Sequence, residues 1–381
     1  IKDTNGDGVG DLRGIIEKLD YYQNLGITGL WLSPFYPSPM ADFGYDIENY
    51  CDVDPLFGTL GDFRELIRQA HDRKIHILID LVPNHTSDEH PWFKESKASK
   101  DNPKRNWYVW KDPKPDGSPP NNWLSHFGGP AWTFDEGTGQ YYLHSFLSKQ
   151  PDLNWDNPQV REQMQKIVEF WLDLGVDGFR VDWVVAISKD PEFRDDPINP
   201  DFVPGVQSPH EAIIPTYSDN GPNLYEYLNE IAEVLARYKQ KFMVTEVYPH
   251  KIKKPGPYLS FYERIDPLVC APLNFAMIFM PWKASAYRKF IDRYLSSMQP
   301  GYVPVFSTGN HDTVRAVTRL GKMIAEKQGL GTNPDPEIVS RLGQEAARTM
   351  AMMVLTLPGA PLLYCGDEIG LENVDIPPEL V

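Results

Sequence analysis

Apolar positions along the chain recur at two spacings, one typical of helices and the other typical of buried strands. A helical spacing runs from Ile15 to Leu25 and is followed by the continuous apolar run 27–32. The same order returns as a helical pattern over 60–74 and a nearly continuous apolar run over 75–79. Short buried strands that alternate with helices predict a parallel sheet with right-handed crossovers, and therefore an α/β fold.

This alternation is interrupted between about residue 90 and residue 150. Pro, Gly, Asn, Trp and Lys crowd together there, most densely in the run 111–120, and no long helical period survives. Because a structureless loop of this length is improbable inside a compact domain, we predict an irregular inserted subdomain.

The alternation then resumes and continues to the end of the chain. Further helices are predicted over 160–174, 223–240, 284–298 and 337–355. The predicted strands are seven in number: 27–32, 75–79, 178–182, 242–245, 273–278, 303–308 and 361–364. A closed (β/α)8 barrel needs eight strands, so the predicted strands are one fewer than this architecture requires.

Composition narrows the range of partners. The formal net charge of −16 argues against a phosphate backbone and fits a neutral or cationic ligand. No apolar run approaches the roughly 18–20 residues of a membrane span, and no signal-peptide pattern follows Ile1. The three cysteines are far apart and lack metal spacing, so we predict reduced thiols. We expect no nucleic-acid partner, no membrane and a cytoplasmic location, with secretion and the oligomeric state left open.

The opening stretch has the composition of a cation-binding loop. Between residues 3 and 11, Asp or Asn stands at every second position except Val9, and glycines separate them. Such a pattern wraps oxygen atoms around a hard cation such as calcium. The candidate ligands are Asp3, Asn5, Asp7, Val9 through its carbonyl, and Asp11. The glutamate that closes an EF-hand is replaced by Gly14, and a metal-free turn rich in Asp and Asn is the alternative.

Polar residues follow most of the predicted strands. In parallel barrels the active site lies at the carboxyl ends of the strands, so these are the residues to consider. They are Asp42 and Tyr45 after the first strand, Asn84 and His85 after the second, Asp182 at the end of the third, Glu246 after the fourth, and His311 and Asp312 after the sixth. Any one of them has an ordinary structural explanation, but the set predicts that Asp182, Glu246 and Asp312 converge.

Paired carboxylates at such a site suit glycoside hydrolysis. Arg180 and Asp182 are two residues apart on a strand and share a face, so we expect the cation to lower the pKa of Asp182 and keep it ionised as a nucleophile. Glu246 has no adjacent cation and suits a general acid/base. Retaining hydrolysis needs such a pair about 5–5.5 Å apart. The alternatives are a structural ion pair and a metal-binding cluster, although no H-x-x-H or H-E-x-x-H spacing supports the latter.

Five motifs carry a specific resemblance. They are DLVPNH at 80–85, QPDLN at 150–154, GFRVD at 178–182, TEV at 245–247 and GNHD at 309–312. In this order they resemble the α-amylase family of glycoside hydrolases (family 13), and most closely its oligo-1,6-glucosidase/α-glucosidase branch. The resemblance covers nearly the whole chain.

The resemblance implies a fold and a set of roles. The fold would be a (β/α)8 barrel over 1–89 and 156–381, with domain B inserted at 90–155; the first barrel strand, the last helix and a C-terminal β-sandwich would lie outside this sequence. Asp182 would be the nucleophile, Glu246 the acid/base and Asp312 the stabiliser of the transition state. Glucose would be bound by Asp42, Tyr45, His85, Arg180 and His311, and structural calcium by the opening loop, with no organic cofactor.

The implied activity is a retaining α-glucosidase that removes glucose from the non-reducing end of short α-glucosides. A transglucosylase or a sucrose or trehalose isomerase of the same family is the alternative, and a non-catalytic module of a transporter heavy subunit is a further one. Trp183 departs from the branch, which usually has Val, Ala or Thr after the nucleophile, so the linkage preference stays open.

Overall fold

The computed structural model describes residues 2–249, 253–331 and 334–374. The chain divides into two compact units, Ile1–Glu246 and Val247–Val381. The helices of the first unit are α1 (Leu12–Leu25), α2 (Leu60–Asp72), α3 (Pro91–Ala98), α4 (Pro158–Asp173) and α5 (Leu224–Ala236). Its strands are β1 (Gly29–Leu32), β2 (His76–Leu81), β3 (Trp110–Lys111), β4 (Trp132–Asp135), β5 (Gln140–Leu143), β6 (Gly178–Val181) and β7 (Phe242–Thr245).

A parallel sheet forms the centre of the first unit. Its strands pair in the order β1-β2-β6-β7, and the register places Asp80 opposite Arg180 and Arg180 opposite Val244. Every residue of β6 is buried, as expected for a parallel strand covered on both faces. The predicted alternation of parallel strands and helices is therefore confirmed.

Local sequence explains where the first helices begin and end. Asp11 caps α1 by accepting a hydrogen bond from the backbone N–H of Gly14, and Gly26 ends it in the left-handed conformation with φ 86°. Thr59 and Asp62 form a reciprocal capping box at the start of α2. These caps fix the approach of both helices to the sheet.

The predicted insertion contains more regular structure than expected. Strands β3, β5 and β4 form an antiparallel sheet in that order, and α3 precedes it with Pro91 in its first turn. A small cluster of buried residues supports this sheet: Val109, Trp123, Ala131, Trp132 and Leu143. The strands have only two to four residues each, so no apolar period was long enough to predict them.

The second unit has its own parallel sheet and core. It contains helices α6 (Gly256–Arg264), α7 (Ala284–Ser296), α8 (Ala316–Lys327) and α9 (Pro336–Thr356), and strands β8 (Cys270–Asn274), β9 (Val305–Ser307) and β10 (Ala360–Leu362). The strands pair in the order β8-β9-β10. Tyr258, Met277, Tyr294, Phe306 and Met350 belong to its buried core. No helix in the described part of the chain is both long and apolar enough to cross a bilayer.

The prediction for one strand of this unit was wrong in position. We predicted a strand over 273–278, whereas β8 ends at Asn274 and a 3-10 turn follows at Ala276–Phe279. The side chain of Asn274 accepts a hydrogen bond from the N–H of Ala276, which turns the chain. Strand and turn are both buried and apolar, so hydrophobicity alone did not separate them. Helices α3, α6 and α8 were not predicted.

Candidate active site

Arg180 forms the centre of the candidate site. Its side chain is buried on β6, and Nη1 lies 2.6 Å from Asp80 Oδ1 and 2.5 Å from Asp182 Oδ1. Nη2 lies 2.5 Å from Glu246 Oε1. The three carboxylates come from β2, from the end of β6 and from the end of β7, so adjacent parallel strands bring them to one guanidinium. The predicted ion pair between Arg180 and Asp182 is present.

Two electrostatic expectations were wrong. Glu246 does have an adjacent cation, because Arg180 on the neighbouring strand reaches it, a contact that sequence neighbours cannot reveal. The pKa of Asp182 is raised well above its usual value rather than lowered, because burial, with the charges of Glu246 and Asp80, outweighs the opposing charge of Arg180. Three carboxylates around one guanidinium favour retention of a proton in the cluster.

Asp80 is a site residue that sequence reasoning missed. Besides Arg180, it contacts Trp31, whose Nε1 donates to Asp80 Oδ2 at 2.8 Å, and Tyr45, whose hydroxyl donates to the same oxygen at 3.3 Å. The carboxylate is fully buried. A charged residue in strand β2, which is apolar apart from His76 at its start, was the available signal, since a buried charge needs partners.

Gln150 connects two of the predicted sugar-binding residues, Asp42 and His85. Its Nε2 donates to Asp42 Oδ2 at 2.8 Å and lies 3.1 Å from His85 Nε2. The same His85 nitrogen lies 3.2 Å from the backbone carbonyl oxygen of Tyr45. Burial lowers the pKa of His85 to about 4, so its ring is neutral near pH 7. Gln150 lies in the QPDLN motif, but its pattern in the sequence did not predict a site residue.

A buried ion pair supports this side of the site. Lys189 Nζ lies 2.9 Å from Asp152 Oδ2 and 3.1 Å from Asn84 Oδ1, and Asn84 Nδ2 donates to Asp152 Oδ1 at 3.0 Å. Burial alone would raise the pKa of Asp152, but Lys189 and hydrogen bonds from Ser145 hold it below its usual value. The pair therefore fixes the segment that carries His85 against the segment that carries Gln150.

The two remaining predicted residues lie in the second unit, after β9. Asn310 Nδ2 donates to Asp312 Oδ2 at 2.7 Å and to the hydroxyl of Tyr248 at 2.7 Å. His311 Nε2 lies 3.3 Å from Asp312 Oδ1. Asn310 is buried, whereas His311 and Asp312 are exposed, so Asn310 anchors a carboxylate that faces outward.

Trp183 has an unusual backbone conformation directly after Asp182. Its φ of 33° and ψ of 53° lie in the left-handed region, which costs a residue with a large side chain about 1–3 kcal/mol. In this conformation its backbone N–H donates to Glu246 Oε2 at 3.1 Å. The strained residue therefore holds the second oxygen of the candidate acid/base.

The opening loop is closed by its own hydrogen bonds. Asp3 accepts from the N–H groups of Asn5, Gly6 and Gly8, and Asp11 accepts from Thr4 and Gly14. These bonds lower the pKa of Asp3, so it stays ionised near neutral pH. Within the described residues no three His, Cys, Asp or Glu side chains are grouped as a metal site. The donor set nevertheless consists of oxygens alone, which is the chemistry that calcium prefers.

Comparison with known proteins agrees with this fold. The chain matches the family described as "Alpha amylase, catalytic domain" over residues 1–380. It is 41% identical over 387 residues to the oligo-1,6-glucosidase of Heyndrickxia coagulans, and the alignment covers 98% of this chain and 65% of that protein. The chain thus spans about two thirds of the length of this relative.

Solved structures give the same result. The alpha-glucosyl transfer enzyme XgtA is similar with a TM-score of 0.87 at 39% identity, covering 99% of this chain and 67% of that one. The trehalulose synthase MutB of Pseudomonas mesoacidophila MX-45 has a TM-score of 0.81 at 37% identity, covering 99% and 64% of the two chains.

The chain therefore belongs to the alpha-amylase family of glycoside hydrolases, and its fold is of the (β/α)8-barrel type. Within that family, the similar curated proteins include oligo-1,6-glucosidases and alpha-glucosidases. The predicted fold class and family are confirmed.

Proposed function

We propose that the protein is a retaining α-glucosidase that removes glucose from the non-reducing end of short α-glucosides. The observation that carries this proposal is the cluster in which one buried guanidinium contacts both Asp182 and Glu246. Such a pair supplies the nucleophile and the acid/base that double displacement requires. The similarity to oligo-1,6-glucosidases and alpha-glucosidases supports the substrate class.

The reaction proceeds in two displacements. Asp182 attacks the anomeric carbon while Glu246 donates its proton to the glycosidic oxygen, so the bond to the leaving group breaks and a glucosyl ester forms. Glu246, now a carboxylate, takes a proton from water, and that water displaces Asp182 from the ester. Asp312 accepts hydrogen bonds from sugar hydroxyls, and these hydrogen bonds become stronger in the transition state.

The charge of the cluster determines where a proton must lie before the first displacement. Asp80, Asp182 and Glu246 share one guanidinium, and burial with the charges of Glu246 and Asp80 raises the pKa of Asp182, so the cluster favours holding a proton. Catalysis requires that proton on Glu246 and an ionised Asp182. The N–H of Trp183 holds one Glu246 oxygen, and Arg180 contacts both carboxylates, so the proton moves within a fixed network.

Glucose is held by the residues around Gln150. Asp42 and a neutral His85 offer hydrogen-bond partners to the hydroxyls of an uncharged sugar, and Tyr45 adds an aromatic ring. His311 is proposed as a further partner. These groups bind and orient the substrate but exchange no proton with it.

We also propose that the opening loop binds structural calcium through Asp3, Asn5, Asp7, the carbonyl of Val9, and Asp11. Bound calcium supplies positive charge that ties the loop together and takes no part in the reaction. Asp11 also caps α1, so ordering the loop fixes the start of that helix.

The test measures glucose release from 4-nitrophenyl α-glucoside and maltose. We expect Asp182→Asn to lower kcat/KM at least about a thousandfold, because the nucleophile is lost. The matched control is Asp190→Asn, which removes another carboxylate paired with an arginine, Arg194 at 2.8 Å, outside the cluster. Activity that survives Asp182→Asn would contradict the proposal, and NMR detection of β-glucose as the first product would contradict retention.

A transglucosylase or an isomerase of sucrose or trehalose is the second candidate, and the similarity to XgtA and MutB favours it. Both reactions share the glucosyl ester and differ in the acceptor that reaches it. Product analysis at high sugar concentration separates them, since hydrolysis yields mostly free glucose and transfer yields mostly new glucosides.

A further inference from the structure

The loop that follows β9 carries two of the proposed site residues, His311 and Asp312. It runs from Thr308 to Val314 within the second unit and leads into α8, which begins at Ala316. The side chains of His311 and Asp312 are both exposed, so burial does not fix them. The position of the Asp312 carboxylate therefore depends on the hydrogen bonds that hold the loop.

Arg319 holds both ends of this loop. Its Nη2 donates to the backbone carbonyl oxygen of Thr308 at 2.7 Å, and its Nη1 donates to the carbonyl oxygen of Val314, also at 2.7 Å. The two nitrogens belong to one planar, rigid guanidinium, so the two carbonyl oxygens are held at a fixed separation. One side chain thus closes the loop between its first and its last residue.

The surroundings of Arg319 restrict it to this arrangement. Its Nε is shielded from solvent and has no hydrogen-bond partner among the residues that the structure describes. Burial lowers the pKa of Arg319, while Tyr287 and Asp367 act in the opposite direction. Because an arginine stays protonated in proteins, both hydrogen bonds to the loop are charge-assisted and stronger than bonds between neutral groups.

The segment after β10 holds the residues that flank the loop. The hydroxyl of Thr308 donates to Asp367 Oδ2 at 3.0 Å. Arg315, directly after the loop, donates through Nη1 to the carbonyl oxygen of Cys365 at 2.8 Å. These two bonds tie each end of the loop to a neighbouring segment, whereas Arg319 ties the two ends to each other.

We propose that Arg319 is a positioning residue for the reaction, because it fixes the position of the Asp312 carboxylate by closing the loop at Thr308 and Val314. This inference rests on the proposed function, which assigns to Asp312 the hydrogen bonds that become stronger in the transition state. A displacement of about 1 Å in a catalytic group can lower a rate about a hundredfold, so a loop closed by a rigid group suits this task. The guanidinium acts through the backbone and exchanges no proton with the substrate.

A purely structural role at the start of a helix is the alternative, and the chain contains a matched case. Arg161 is the fourth residue of α4, as Arg319 is the fourth residue of α8. Its Nη1 donates to the carbonyl oxygen of Trp155, just before that helix, at 2.8 Å. It also pairs with Glu230 at 3.0 Å, so its loss should cost at least as much stability. No proposed site residue lies between Trp155 and α4, so Arg161→Met is the control.

The kinetic test compares these variants on 4-nitrophenyl α-glucoside. Arg319→Met should lower kcat at least about tenfold and raise KM less than about threefold, because Asp312 acts mainly in the transition state. Arg319→Lys keeps the charge but cannot donate to both carbonyl oxygens in a rigid fork, so its kcat should lie between those of Arg319→Met and the wild type. Arg161→Met should leave kcat within about twofold of the wild type. Arg319→Lys carries the same test should Arg319→Met fail to fold.

A double-mutant cycle determines whether the effect passes through Asp312. Asp312→Asn alone should lower kcat strongly. Arg319→Met added to it should lower kcat less than about twofold further, because the group that the loop positions is already lost. An equal effect of Arg319→Met with and without Asp312 would contradict the inference and leave a structural role, and so would an unchanged kcat in folded Arg319→Met.

A readout without catalysis separates this inference from the proposed function. His311 lies on the loop, so the NMR signal of its imidazole, assigned by its loss in His311→Gln, reports the loop conformation in active or inactive protein. Arg319→Met should shift or broaden that signal, and Arg161→Met should not. An unchanged signal in Arg319→Met would overturn the positioning role. A changed signal, in a protein whose wild type releases no glucose, would overturn the glucosidase proposal and leave the closure of the loop by Arg319 established.

Discussion

The guanidinium of Arg180 contacts Asp80, Asp182 and Glu246, so three potential negative charges share one positive charge. The charges of Glu246 and Asp80 make ionisation of Asp182 harder, and burial acts in the same direction. Asp80 has no proposed role in bond breaking. Its charge is nevertheless one of the causes that raise the pKa of the nucleophile.

Replacement of Asp80 should therefore shift the pH profile. The charge of Asp80 raises the pKa of Asp182, so Asp80→Asn lowers it, and Asp182 stays ionised to a lower pH. We expect the acidic limb of the profile of kcat/KM to move down by about one pH unit. The measurement is kcat/KM between pH 4 and pH 8 with a neutral glucoside.

Asp177→Asn provides the matched control. Asp177 precedes β6 and contacts His71 at 2.8 Å and Lys241 at 3.2 Å, so it is also a carboxylate with basic partners, but it lies at the other end of the strand. It should alter stability without moving the profile. An unchanged acidic limb in Asp80→Asn, or an equal shift in Asp177→Asn, would contradict this account.

Sequence reasoning found the residues that follow strands but not the contacts between strands. Asp182 and Glu246 were predicted because they stand at the ends of apolar runs, a property that the sequence displays. Asp80 lies within a strand, and its pairing with Arg180 depends on the register between β2 and β6. Gln150 lies far from Asp42 in the sequence, yet its side chain donates a hydrogen bond directly to that carboxylate. Such contacts depend on the fold as a whole and have no local pattern.

At the scale of elements, all seven predicted parallel strands are present, with boundaries displaced by up to four residues. The apolar runs predicted them well because parallel strands are buried on both faces. The predicted strand began three residues after the true start of β8. β8 contains Pro272, which cannot donate a hydrogen bond to a neighbouring strand and therefore indicates the end of a strand. Helix α8 was missed because its apolar residues are interrupted by Arg319, Gly321 and Lys322.

The glycine within α8 has a packing role. A Cβ added to Gly321 would lie 2.1 Å from the carbonyl oxygen of Val339 in α9, and one added to Gly343 in α9 would lie 2.1 Å from the carbonyl oxygen of Val317 in α8. The two glycines thus allow the helices to approach each other on both sides of the contact. The sequence alone does not reveal this reciprocal arrangement.

Gly343→Ala should destabilise the protein although alanine favours helix formation. Helix propensity would gain about 1 kcal/mol. Separating two packed helices costs about 1–3 kcal/mol, so we expect a net loss of up to about 2 kcal/mol and a lower Tm. The control is Gly256→Ala at the start of α6, where an added Cβ meets nothing within 4 Å. A Tm of Gly343→Ala equal to or above that of the wild type would show that the helices separate without cost.

At the scale of the whole molecule, the net charge of −16 affects every stability measurement. Like charges repel in the compact state, and added salt screens that repulsion, so NaCl should raise Tm gradually and without saturation. The effect has no specific site and should be nearly the same in variants that differ by one charge. Any stabilisation by calcium has to be measured above this background.

Calcium binding to the proposed loop should raise Tm in a different way from screening by NaCl. In a constant 150 mM NaCl, CaCl2 should raise Tm along a saturating curve, because a ligand that binds only the folded state contributes about 2.7 kcal/mol at a hundredfold excess over Kd. MgCl2 should have a smaller effect, since magnesium dehydrates reluctantly and demands octahedral ligands.

Asp7→Asn removes one proposed carboxylate ligand and should raise the calcium concentration at the midpoint of the curve at least about tenfold. Asp72→Asn, a surface carboxylate paired with Arg68 at 2.9 Å, is the control and should respond as the wild type does. A calcium curve identical in Asp7→Asn and the wild type would refute the loop as the site, because the same screening acts on both proteins and only a specific ligand distinguishes them.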